Sequence, residues 1–221
     1  VPGGIQLRAE TFAMLLEDLS GGDVRFAVVG DRADVTLSRR VMGEIAKLHA
    51  AFWESPRFAE DLAWVPCREN RRLRDVALER FITRQMLGLA LRRFAAVLPS
   101  DCTRAAHLCM ERRDDVDLLW ARGPRTLVHG DCHVGNLFFE GDRVGFLDWQ
   151  VVGRAPGMRD VTYFLCLSCP SDLRAKHERE LIEIYLERLA EQGVSAPTFD
   201  VAWEQYRHFA LYAWLAAAFT A

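Results

Sequence analysis

Val128-His129-Gly130-Asp131-Cys132-His133-Val134-Gly135-Asn136, followed by Phe146-Leu147-Asp148-Trp149-Gln150, holds most of the polar chemistry of this chain. Each stretch follows a short apolar run, Thr126–Val128 and Val144–Leu147, so both carboxylates stand at strand ends, where open sheets present reactive groups. Glu140-Gly141-Asp142 between them is a hairpin signal. An acid, an amide five residues on and a second acid twelve residues later can converge. One carboxylate then accepts a proton while the amide oxygen and the other carboxylate hold a hard cation. Magnesium favours such an oxygen-rich, partly hydrated shell.

Upstream of this segment the pattern is helical. Val41, Ile45, Leu48 and Phe52 recur at three- and four-residue steps, which predicts an amphipathic helix over 37–53 limited by Pro56. A second helix is expected over 73–98, closed by Pro99, and a third from a Ser100 or Asp101 cap to about Trp120, lying beside the second. The first twenty residues read as one or two short strands ending in Ala13–Leu16, broken by Glu17-Asp18-Leu19-Ser20-Gly21-Gly22. Downstream, helices are expected at 158–169, at 171–192 capped by Ser171 or Asp172 and stopped by Gly193, and from Phe199 onward. The class is therefore α+β and predominantly helical.

Composition sets outer limits. The chain has 221 residues, half of them hydrophobic and 27% charged, which excludes disorder and fibrous repeats. A net charge of −3 gives no global pull toward nucleic acid or an anionic membrane. The basic doublets Arg71-Arg72 and Arg92-Arg93 share their helices with acids and read as solvated faces. The apolar run Phe209–Phe219, about eleven residues, is short of the roughly 18 that span a bilayer. Six scattered cysteines fit a reducing, cytoplasmic setting, and Cys166-Leu-Ser-Cys169, at the end of a helix, reads as core rather than redox or zinc chemistry.

The acid, the amide at plus five and the later acid have the order and spacing of a kinase catalytic loop and its metal-binding acid. HGDCHVGN with FLDWQ resembles the catalytic segment of the aminoglycoside and choline kinase superfamily, small-molecule phosphotransferases with a protein-kinase-like fold. Leu15-Leu-Glu-Asp-Leu19 agrees in order. Lys47-Leu-His-Ala-Ala-Phe-Trp53 and the triplet Asp148-Trp-Gln150 resemble the ecdysteroid-kinase-like and related bacterial branch.

The resemblance implies ATP and Mg²⁺ as cofactors and a small-molecule alcohol as acceptor, with no nucleic-acid partner. It implies Asp131 as catalytic base, Asn136 and Asp148 as magnesium ligands, and Leu16, Glu17, Asp18 and Leu19 as a hinge whose backbone holds adenine. His129 would order the loop, His133 would lie near the phosphates, Trp149 would flank the metal site, and Asp160 would brace the catalytic loop. Residues 1–20 would be a remnant of an N-terminal lobe strand and hinge, and 21–221 a helical C-terminal lobe with its catalytic loop at 126–150 and acceptor-site helices over 158–221.

Such enzymes also use an N-terminal lobe with a strand Lys that pairs with the phosphates. The chain holds two lysines, Lys47 and Lys176, both in helical segments. It therefore reads as a C-terminal lobe cut from a longer kinase, the alternative being a pseudokinase or nucleotide-binding module without turnover. A metallohydrolase built on His129, Asp131, Cys132 and His133 would leave Asn136 and Asp148 unexplained. The aromatic residues Trp203, Tyr206, Phe209, Tyr212, Trp214 and Phe219, with few acids, favour an apolar or neutral alcohol over a polycationic acceptor, if they line a pocket rather than the core.

Overall fold

The helix expected over 37–53 runs Val35–Phe52 (α1) in the computed structural model, which describes residues 17–28, 30–70 and 73–220. The strands expected before Leu16 lie outside the described residues. Asp34 starts α1, its carboxylate accepting the Leu37 N–H at 2.7 Å, a cap worth about 1 kcal/mol. Val41, Met42, Ile45, Ala46 and His49 are wholly buried on one face, and that face packs against α6 (Ser171–Glu191).

The second expected helix stops early. It spans Leu73–Arg93 (α2), and the N–H groups of Val97 and Leu98 both turn back onto the Phe94 carbonyl. The third is two helices, Ser100–Glu111 (α3) and Arg113–Trp120 (α4), broken at Arg112, whose φ of −120° and ψ of 35° leave the helical region. Tertiary contacts select the break. Arg113 reaches Glu79 of α2 at 2.7 Å and Asp117 at 2.8 Å. Trp120 donates from Nε1 to the His208 carbonyl of α7 (Phe199–Thr220) at 2.9 Å and stacks on Phe209. Pro99, which has no side-chain donor or acceptor, occupies the N-cap of α3, so neither Ser100 nor Asp101 caps it.

The segment between α4 and α5 (Met158–Ser168) is extended. Thr126–Val128 (β2) pairs antiparallel with Gly153–Ala155 (β5). Leu137–Glu140 (β3) and Arg143–Phe146 (β4) form the expected hairpin around Gly141, whose φ of +56° suits the tight turn. Val24–Phe26 (β1), which the sequence did not reveal, adds a third antiparallel strand beside β3.

Helix α5 is the buried axis of the molecule. Asp160, Val161, Thr162, Phe164 and Leu165 are wholly excluded from solvent, and α5 packs on α1, α6 and α7. Truncating a side chain such as Leu165 to Ala there costs about 2–5 kcal/mol. Helix α6 has its N-cap one residue before the expected one, at Pro170, whose fixed φ opens the turn without a side-chain bond from Ser171 or Asp172. Gly193, at φ +79°, ends it. The architecture is α+β, predominantly helical, with a small hairpin sheet spanning the segment that carries Asn136 and Asp148. Among the described residues no helix is long and apolar enough to cross a membrane.

Candidate active site

The loop that leaves β2 is held from below by one carboxylate. Asp160, at the start of α5, accepts the His129 N–H on Oδ2 at 2.6 Å and the Gly130 N–H on Oδ1 at 2.9 Å. His49 of α1 donates from Nε2 to the same Oδ2 at 3.3 Å, and its Nδ1 accepts the Tyr185 hydroxyl at 2.9 Å. Burial by itself would push the Asp160 carboxyl up. The His49 hydrogen bond, the Gly130 N–H and the Arg159 charge outweigh that and hold it below the ordinary carboxylate range. His49, which reads from sequence as an isolated helix residue, is thus part of a buried relay from Tyr185 to Asp160.

Two glycines make room for this arrangement. Gly130 has φ +88°, and a Cβ there would overlap the Val151 carbonyl. Gly157 has an ordinary helical φ, but a Cβ on it would overlap the Tyr185 hydroxyl and stand 2.7 Å from His49 Nδ1. Here the requirement is close approach rather than backbone freedom.

His129 is buried and spoken for on both ring nitrogens. Nε2 lies 2.7 Å from the Leu147 carbonyl and Nδ1 accepts the Asp131 N–H at 3.3 Å. The carbonyl can only accept, so the proton sits on Nε2 and the ring ties the loop to the end of β4. His133 caps the short turn Val134–Asn136, its Nδ1 accepting the Gly135 N–H at 3.0 Å, and presents Nε2 3.8 Å from Asp131.

Asp131 is brought together with Asn136. The Asn136 Nδ2 donates to the Asp131 carbonyl at 2.9 Å and to its Oδ2 at 3.1 Å. From α5, the Tyr163 hydroxyl donates to Oδ1 at 2.6 Å. Burial and the attached carboxylate push the Tyr163 phenol well up, which keeps it a donor. Tyr163 escapes a sequence reading because it lies 32 residues from Asp131. The available signal is its position three residues after Asp160, on the same helix face.

Asp148 stands at the same end of the hairpin as Asn136, since the Leu147 N–H bonds the Asn136 carbonyl at 2.8 Å. It is exposed, and its backbone is left-handed at φ +58°, a conformation Asp tolerates better than most residues. Among the described residues its carboxylate receives only Gln150, at 3.3 and 3.4 Å. Trp149 packs its ring 4.7 Å from His129 and donates to the Phe146 carbonyl. At the other end of the described chain Asp18 accepts from the N–H and hydroxyl of Ser20, forming a turn, with Glu17 exposed and Leu19 half-buried beside it. Leu16 lies outside the described residues.

The donor set suits a hard cation. Both contacts of the Asn136 amide go through Nδ2, so its Oδ1 keeps both lone pairs, and the nearby Asp148 carboxylate is open to solvent. Soft-metal chemistry fits less well. Among the described residues no three His, Cys, Asp or Glu side chains gather as a metal site, and Cys132 is fully buried with its thiol pushed well up by burial. Cys166 and Cys169 are likewise shifted up by burial, and Cys169 contacts Ser38 in the core.

A cavity of about 420 Å³ is lined by Val151, whose carbonyl abuts Gly130 of this loop. It runs between Gln150–Pro156, α4, α7 and Arg159. Of the aromatic residues of α7, Phe209 and Tyr212 line it, whereas Trp203 packs with Phe199 and Tyr206 away from it.

The fold matches solved small-molecule kinases. Choline kinase from Cryptosporidium parvum Iowa II superposes with a TM-score of 0.53 at 12% identity, over 88% of this chain and 61% of that one. Macrolide 2′-phosphotransferase from Brachybacterium faecium gives 0.44 at 21% identity over 86% and 56%, and a glucosamine kinase 0.46 at 19% over 82% and 48%. This chain therefore spans roughly half to three-fifths of the length of these relatives. No curated protein sequence matches it. The choline kinase superposition shows a shared protein-kinase-like fold, and the sequence itself matches one family from residue 4 to residue 195: the chain belongs to the ecdysteroid kinase-like family.

Proposed function

We propose that a protein built around this chain is an ATP-dependent phosphotransferase acting on a hydroxyl of a small molecule, this chain being its catalytic lobe. One observation carries the reading. Asp131 is aligned by two donors from different elements, Tyr163 and Asn136, while the His129 and Gly130 backbone just before it hangs from Asp160. A carboxylate held at both oxygens keeps lone pairs to accept an acceptor hydroxyl proton, and fixing its direction is the larger part of what such a base contributes. Asn136 Oδ1 and Asp148 would hold the magnesium, which when bound neutralises charge on the nucleotide phosphates. His129 and Trp149 keep the Asp148 segment against the loop. In this reading the backbone of Leu16, Glu17, Asp18 and Leu19 would hold the adenine, residues 1–20 would be the remnant of an N-terminal lobe strand and hinge, and 158–221 would supply the acceptor-site helices. The six free thiols support a reducing, cytoplasmic setting.

The test is Asp131→Asn in the full-length protein. Transfer to any accepted hydroxyl should fall by about 10²–10⁴-fold, with Mg-ATP affinity in calorimetry largely kept. Retained turnover sinks the base assignment. Binding of Mg-ATP by the wild type with no transfer to a broad panel of alcohols would instead favour a nucleotide-binding module without turnover.

A further inference from the structure

The cavity beside the catalytic loop has the wrong charge for a cationic acceptor. Its described lining holds five arginines, Arg68, Arg113, Arg125, Arg154 and Arg159, against two carboxylates, Glu79 and Asp117. Arg113 is satisfied by those two, and Arg125 is paired with Glu69 at 2.7 Å. Among the described residues Arg159 has no carboxylate on it. Its guanidinium donates to the Tyr212 hydroxyl and lies 4.4 Å from the centre of that ring, while its buried Nε has no partner. The neighbouring Asp160 offers only its field, since its oxygens are taken by His129, Gly130 and His49. Arg154 also has a partnerless buried Nε, and it stacks on Phe58.

Arg159 is near the reacting centre. A Cβ on Gly130 would stand 3.4 Å from its Nη2, and the Tyr212 ring it covers packs 6.0 Å from Tyr163, which holds Asp131. A half-buried, planar, permanently charged fork whose Nε is unused is suited to a carboxylate. The remaining walls, Trp120, Phe209, Tyr212 and Val151, are apolar or aromatic, and the volume is that of a small-ligand site.

We infer that this cavity takes a hydroxylated anion, an aromatic or alicyclic alcohol bearing a carboxylate, with the carboxylate on Arg159 and the hydroxyl toward Asp131. This replaces the neutral alcohol expected from the aromatic residues of α7 alone, because Arg154 and Arg159 come from β5 and the start of α5. The inference rests on the phosphotransferase reading only for the direction of the hydroxyl.

The experiment compares 4-hydroxyphenylacetate with its neutral isostere 4-hydroxyphenylacetamide, and with choline, by calorimetry and ligand-observed NMR on the full-length protein. The carboxylate should bind at least ten-fold more tightly than the amide, and choline should not bind. Arg159→Met should erase the preference, and Arg159→Lys should keep part of it. Should Arg159→Met fail to fold in a melting scan, Arg159→Lys and Arg154→Met carry the test, each expected to reduce the preference. Equal binding of acid and amide, no binding of the acid, or its displacement by ADP overturns the inference. Mg-ATP titration of the same preparation reads the kinase assignment separately. Charge preference without nucleotide affinity leaves the anion site standing and removes the kinase, whereas nucleotide affinity with charge-blind acceptor binding does the reverse.

Discussion

The Tyr163 hydroxyl donates a 2.6 Å hydrogen bond to Oδ1 of Asp131, tying the candidate base to the most buried helix of the molecule. Tyr163→Phe removes that donor while keeping the ring in the core. A hydrogen bond to a charged group contributes about 1.5–3 kcal/mol. If it serves alignment, kcat measured well below the melting temperature should fall by about ten- to a hundred-fold, while the lost hydrogen bond lowers the melting temperature by only several degrees. An unaltered kcat would make Tyr163 a packing residue only.

Asp160 should make the fold acid-sensitive. Its carboxyl is lowered from the ordinary 3.8, so the unfolded chain binds its proton more readily than the folded one. The stability it contributes is complete above the unfolded value and is lost as pH falls below about 4 toward the folded value. Asp160→Asn should cost about 3–5 kcal/mol, as expected for breaking a buried charged network, and should flatten the acid limb of a pH series of denaturant melts. An identical acid limb in the variant would remove Asp160 from the acid response.

At Gly157 the prediction is steric. Gly157→Ala drives a methyl into the Tyr185 hydroxyl and toward His49, and should destabilise by about 1–3 kcal/mol. Adding Tyr185→Phe removes the nearer obstacle, so the double variant should be more stable than the two single losses summed. Simple additivity in a double-mutant cycle would place the strain elsewhere.

Asp148→Asn separates charge from backbone. Asn accepts the left-handed conformation at φ +58°, so folding should be kept. Magnesium-dependent nucleotide affinity should fall by at least the roughly 10–100-fold typical of losing even an outer-shell metal partner. Unchanged affinity in calorimetry would count against Asp148 as a metal ligand.

What could be read from the sequence follows from how local each signal is. Helix α1 announces itself through Val41 and Ile45, and the hairpin through Glu140-Gly-Asp142, because periodicity and turn chemistry are properties of neighbours. Val24–Phe26 and Gly153–Ala155 are three-residue strands, too short to alternate, and exist because β3 and β2 offer them hydrogen bonds. The break at Arg112 and the pairing of His49 with Asp160 are settled by residues 34 and 111 positions away. At the candidate site Asp131, Asn136 and Asp148 can be picked out as a spaced motif. Tyr163 and Arg159 cannot, since only the packing of α5 decides what they face.

Asp160 and Tyr163 stand three residues apart on α5, one gripping the backbone of the catalytic loop and the other the side chain of its acid. A single turn of helix is stiff, so any shift of α5 displaces both grips together. Substitutions in α1, α6 or α7 that move this helix, without touching loop or cavity, should alter turnover before they unfold the protein. The candidate base cannot drift independently of the core, so a variant library sorted only for folding would still hold misaimed carboxylates, each traceable to a displaced α5.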